Sequence, residues 1–204
     1  MKFIYPLLLS AIVCSAQAQT ELPGKHIQLI AGPSLHTSGD LSGIAFITEF
    51  ESFFKKRLSY VVGIGGTIHS GVLPILYIDE ADRPIDGSVR NTVAGAQVMG
   101  HIGYSPLRTS HHQLQARVGL VGRYQSSGNN DIVIIHSALE TGLSIPTISY
   151  INIEPQKIYT VGGSAQILYN YTFKKVSVGI LGGLQTDSHG DTILQSCATV
   201  GMRL

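Results

Sequence analysis

Charge is scarce in this chain: Asp, Glu, Lys and Arg make up 13% of 204 residues and balance to a formal +1. So even a distribution excludes the basic face by which proteins grip nucleic acid through its phosphates, and no nucleic-acid partner is expected. Cysteine is nearly missing, with only Cys14 and Cys197. Cys14 falls in a leader-like segment, so Cys197 is expected to stand alone after processing and no internal disulfide can form. Beyond the first twenty residues, glycine (23 in the chain) and polar residues break every apolar run. None reaches the roughly 20 apolar residues of a membrane-spanning helix. The length suits one domain.

What is present begins with an export signal. Lys2 supplies a positive start, Phe3 to Val13 an apolar stretch too short to span a bilayer, and Ala16-Gln17-Ala18 a small-residue cleavage site. Residues 1–18 are therefore predicted to be a signal peptide and 19–204 the mature domain. Val13 is not the small residue expected ahead of a lipidated cysteine, so Cys14 is not read as a lipoprotein anchor.

From about His26 onward the dominant signal is two-residue alternation, the mark of strands with two unlike faces. Between Gln113 and Tyr124, Leu114, Ala116, Val118, Leu120 and Tyr124 share one face, opposite Gln113, Gln115, Arg117, Gly119 and Arg123. Eight such segments are predicted: His26–Leu35, Gly43–Phe54, Leu58–Ser70, Val89–Tyr104, Gln113–Tyr124, Tyr159–Phe173, Val176–Asp187 and Thr192–Leu204. Short connections at Lys55-Lys56-Arg57 and Lys174-Lys175, and a moderate one from Pro106 to His112, alternate with Gly71–Ser88 and a long Gln125–Ile158 excursion. Short turns on one side and longer loops on the other suit a membrane barrel, although the outer connections near Thr37–Leu41 and Ser188–Asp191 are short. Within the excursion, Ile132–Ile135 and Ile145–Ile153 are apolar enough to extend strands or make an extra hairpin.

An exported β-sandwich or lipocalin-like barrel would show the same period. Its water-facing side would carry many charges. Here the polar faces hold Gly, Ser, Thr, Gln and Asn instead, which suits the packed interior of a narrow tube. Aromatic residues near strand ends, such as Phe54, Tyr60, Tyr104, Tyr124, Tyr159, Tyr171 and Phe173, stand where interfacial girdles belong. The expected fold is all-β, an eight-stranded antiparallel transmembrane β-barrel in the cell outer membrane.

The signal, the strand rhythm and the closing strand Val200-Gly201-Met202-Arg203-Leu204 resemble the small bacterial outer-membrane β-barrel proteins, similar in plan to outer-membrane proteins X and W. The resemblance covers the whole chain. It implies a monomer in contact with outer-membrane lipid, delivered by the outer-membrane insertion machinery, with no cofactor. Leu204 stands where such chains usually end in an aromatic residue. Members of this group serve as structural proteins, adhesion factors, small pores or lipid-modifying enzymes, so the expectation is a structural or surface-interaction role. A narrow pore for small solutes and an envelope lipid hydrolase are the alternatives.

Candidate chemistry is thin. Glu49, Glu51, Arg117, Arg123 and Arg203 fall on predicted inward faces and are expected to pair inside the lumen, as a seal or a selectivity constriction. Of eight histidines, His111 and His112 are adjacent and point apart on a strand, while His69 and His101 face inward on neighbouring strands. Partners with metal-ligand spacing are missing, so no metal site is expected. His136, Ser137 and Glu140 supply the residue types of a lipid A deacylase, but a nucleophile needs its base within hydrogen-bond reach. Gly63-Ile64-Gly65-Gly66 and Gly182-Gly183 lack the following helix and Lys-Ser or Lys-Thr pair of a phosphate loop, and are read as barrel bends.

Overall fold

The computed structural model describes residues 24–37, 40–74, 76–78, 84–143, 146–152 and 155–204. The predicted signal peptide, residues 1–18, lies outside the described residues. Eleven strands follow in order: β1 (Lys25–His36), β2 (Leu41–Phe53), β3 (Leu58–Leu73), β4 (Leu76–Ile78), β5 (Pro84–Asp86), β6 (Val89–Arg108), β7 (His112–His136), β8 (Thr147–Asn152), β9 (Gln156–Phe173), β10 (Val176–Asp187) and β11 (Thr192–Arg203). Eight of them pair antiparallel with sequence neighbours, and the first meets the last: β1 pairs with β11 from His26↔Arg203 to His36↔Ile193. The sheet has no free edge around the tube, which is what a bilayer demands of strands, since no backbone N–H or C=O can be left unpaired in hydrocarbon.

Register fixes the shape. Cross-strand partners run from His26 through Glu51, Val61, His101, Gly119, Ser164, Gln185 and Ile193, then return to β1 at His36. The circuit closes ten residues further up the starting strand. That offset makes a tilted, eight-stranded tube just wide enough for its own side chains.

Strand parity sorts the side chains. The outward face is apolar and exposed, as at Leu120 (68%), Ile180 (66%), Ile64 (62%) and Leu29 (60%), while the inward face buries polar groups such as Gln28, Glu49, Gln115 and Asn170. Two aromatic girdles frame the oily belt. Tyr60, Tyr104, Tyr171 and Phe173 stand outward at the end carrying the tight turns, and Tyr124 and Tyr159 at the other, their ring centroids 4.8 Å apart. Tyr159 and Tyr171 lie on the same strand. Their separation is roughly 40 Å along the chain, or about 28 Å across a bilayer at a tilt near 45°.

One allowed alternative is realised and one expectation needs correction. The Gln125–Ile158 excursion is largely strand: β7 runs on to His136 and pairs with β8 from Ile132↔Ile151 to His136↔Thr147, while β9 starts at Gln156. The Gly71–Ser88 connection likewise holds the β4–β5 hairpin. The hairpin of β7 and β8 takes up the apolar runs Ile132–Ile135 and Ile145–Ile153, of which residues 145 and 153 lie outside the described residues, whereas the turn-forming residues of Gly71–Ser88 hid its short hairpin.

Candidate functional site

The inner face assembles from alternate residues of every barrel strand, so distant parts of the sequence meet across the tube. Arg117 of β7 is the hub of the turn-side half. Its Nη1 donates to Glu49 Oε2 at 2.6 Å, its Nη2 stands 3.6 Å from Glu51 Oε2, and its Nε donates to Gln115 Oε1 at 2.6 Å. Gln115 Nε2 donates to Glu51 Oε1 and to Ser59 Oγ (2.7 Å), and Gln28 Nε2 to Glu49 Oε2 at 2.7 Å. Asn170 and Thr199 extend the chain of bonds to β9 and β11. Two carboxylates share one guanidinium, so amide donors carry the remainder of the compensation that buried charges require.

Small residues make the room. A Cβ on Gly63 would come 2.9 Å from Glu49 Cγ and 3.0 Å from Met99 Cγ, and one on Gly103 would strike the Gln115 amide and sit 2.7 Å from Ser59 Oγ.

The five charges singled out in the sequence do not form one network. Glu49, Glu51 and Arg117 meet directly. Arg123 lies in the opposite half, where its Nη2 donates to Thr67 Oγ1 at 2.5 Å and Asp187 and Asp191 are the acids facing it. Arg203 sits at the mouth and donates to the Ser110 carbonyl at 2.7 Å.

Between the halves lies a layer the sequence reading passed over. Ile30, Ala45, Ile47, Met99, Val121, Leu168, Leu181 and the free Cys197 pack together inside the tube. Most interrupt an otherwise polar inward face singly, as Val121 does between Gly119 and Arg123 and Leu168 between Gln166 and Asn170, while Ala45 and Ile47 are successive inward positions of β2. Those interruptions, contributed by every barrel strand but β3, were the available signal.

The histidines divide among separate partners. His69 bonds Ser34 (2.8 Å), His101 bonds Ser164, and His26 bonds Ser177 (2.7 Å) with Glu51 3.9 Å away. His69 and His101 thus face inward but do not converge, and among the described residues no three His, Cys, Asp or Glu side chains are arranged to hold a metal ion. His111 and His112 both stand exposed, against Tyr171 and Tyr169. Ser137 caps the helical turn Ala138–Thr141: its Oγ accepts from Glu140 N, and Glu140 Oε2 accepts from Ser137 N. His136 Nδ1 approaches Glu140 at 4.0 Å. A capping box accounts for the spacing that had suggested a catalytic set.

A sheet closed on itself, oily outside and ion-paired within, is an integral membrane β-barrel of the outer-membrane class. Solved structures with this fold include the attachment invasion locus protein Ail of Yersinia pestis (7% identity, TM-score 0.54, 90% of this chain and 100% of that one). Neisserial surface protein A (10%, 0.51, 89% and 97%) and the N-terminal β-barrel domain of Pseudomonas aeruginosa OprF (11%, 0.50, 88% and 96%) share it. No family model and no curated protein matches the sequence. The likeness is one of fold, that of the small outer-membrane barrels.

Proposed function

We propose that this barrel is a non-enzymatic surface-interaction protein that works through strands projecting beyond the outer girdle. The carrying observation is unequal strand length. β1, β10 and β11 have 12 residues each, near the span of a tilted membrane strand, whereas β6 has 20 and β7 has 25. β7 stays paired with β6 as far as Asn129, and from Asn130 to His136 it continues with β8 as a two-stranded hairpin whose outer backbone edges pair with no other strand among the described residues. Exposed strand edges are the standing template for addition of a partner's strand.

Charge narrows the partner. The projecting end exposes Asp40, Asp86 and Glu140, with Asp187 half-buried, against the exposed cations Arg90 and Lys157. Asp86 is held below the usual carboxylate range by hydrogen bonds from the Ser88 side chain and backbone, so it stays ionised in mild acid. Three exposed carboxylates against two cations leave a slight acidic balance among the described residues, which favours a neutral or weakly cationic segment. Ail was crystallised with the heparin analogue sucrose octasulfate; a polyanion of that kind is not expected at this end.

The test replaces residues 130–154 with an Asn-Gly turn. The truncated barrel should still show the gel-mobility shift on boiling, while binding of cells to a host or bacterial surface should fall to background. Undiminished binding refutes the proposal.

A further inference from the structure

The opposite end of the tube has the opposite sign. Lys55, Lys56 and Arg57 fill the β2–β3 turn, Lys174 and Lys175 the β9–β10 turn, and Lys25 opens β1; all six are exposed. Arg108 and Arg203 add two half-buried guanidiniums. The only side-chain carboxylates reaching toward this end among the described residues are Glu49 and Glu51, both sealed in the lumen and shared with Arg117.

Position around the tube matters as much as sign. In the closed sheet order, the β2–β3 and β9–β10 turns lie across the barrel from each other, and Lys25 and Arg203 mark the β1–β11 seam between them. A globular partner touches one side of a cylinder, and only a surrounding medium meets all sides at once. Depth points the same way. Lys55 follows the exposed Phe54 directly, and Lys174 follows Phe173, with Lys174 Nζ 5.5 Å from the centre of that ring. The amines therefore stand at the level of the aromatic girdle, where lipid headgroups lie, and their alkyl stems can rest on apolar surface.

We propose that this rim is a binding collar for anionic phospholipid headgroups of the inner, periplasmic leaflet. Each Lys or Arg at such a surface adds attraction for a phosphate-bearing anionic lipid, and the effect decays within a Debye length. The collar needs only that the chain spans the membrane, so it stands apart from the reading of the projecting hairpin.

The experiment reconstitutes the full barrel in phosphatidylcholine bilayers carrying spin-labelled phosphatidylglycerol or spin-labelled phosphatidylcholine, and compares the motionally restricted fractions. Phosphatidylglycerol should be preferred by about fivefold at low salt, falling toward onefold in 1 M salt. Replacing Lys55, Lys56, Arg57, Lys174 and Lys175 with Gln should abolish the preference, whereas R90Q/K157Q, at the far end, should keep it. Boiling-dependent gel mobility checks that both variants are folded, and the salt series on the unaltered protein does not depend on any variant. Equal association of the two lipids, a preference indifferent to salt, or loss only in R90Q/K157Q overturns the proposal. So does a collar variant that keeps its lipid preference but loses sedimentation with purified peptidoglycan, which would assign the rim to the wall polymer.

Discussion

Arg117 illustrates how one side chain organises the interior. It is buried, and both of its carboxylate partners are fully buried as well. Removing it leaves two anions facing each other without a cation, so Arg117→Met should cost about 3–5 kcal/mol. Urea titration in lipid vesicles measures this, and adding Glu49→Gln to the same chain should restore part of the loss. If the double variant is no more stable than the single, the coupling is absent. Gly63 should be nearly as intolerant. Ala there presses on Glu49 and Met99, so about 1–3 kcal/mol of destabilisation is expected by the same titration, the range for overpacking. Parity sufficed to place Glu49, Glu51 and Arg117 on the inward face from sequence, because two-residue periodicity is a local property. Which charge meets which depends on shear, a property of the closed ring, and this is why Arg123 and Arg203 were read together with groups they do not touch.

At the level of the strand, the bilayer imposes an outward face that water would penalise, and depth along the strand sets the penalty. Ile64→Arg, in the middle of the oily belt, should cost about 2–4 kcal/mol in vesicle unfolding. Leu139→Arg, in the helical turn beyond the outer girdle and 82% exposed, should change stability by less than about 0.5 kcal/mol. Similar costs at both positions would invert the assignment of lipid and water. Alternation made the membrane-crossing parts of the strands legible. The apolar arms of the outer hairpin were legible too, but the unbroken pairing that leads into them was not, because Ser126-Ser127-Gly128-Asn129-Asn130 has the composition of a turn. β7 carries pairing through that stretch because β6 and β9 flank it on both sides: Asn91 pairs with Asn129 and Gln156 with Ser127. Non-local hydrogen bonding overrides local propensity there.

Taken whole, the barrel is a tube with two polar chambers and an apolar floor between them. The cluster around Ile30, Leu168 and Leu181 draws an apolar residue from seven of the eight barrel strands into the level where a conduction path would have to pass. Ions shed hydration to cross such a constriction, so planar-bilayer recordings of the intact protein should show no single-channel steps. Regular steps of uniform size would revive the narrow-pore alternative. Reading each strand separately gave the tube but not its floor, since one apolar residue in a polar row carries little weight until the rows are stacked.

The β1–β11 seam brings residues from the two extremes of the described chain into adjacent hydrogen-bonded rungs, with Leu204 N donating to the Lys25 carbonyl at 3.1 Å. Connectivity is therefore incidental to the shape. Joined there by a short Gly-Ser bridge and cut instead between residues 143 and 146, the polypeptide should refold in vesicles to the same heat-modifiable species. The point of entry into the circle could then be moved without moving a wall.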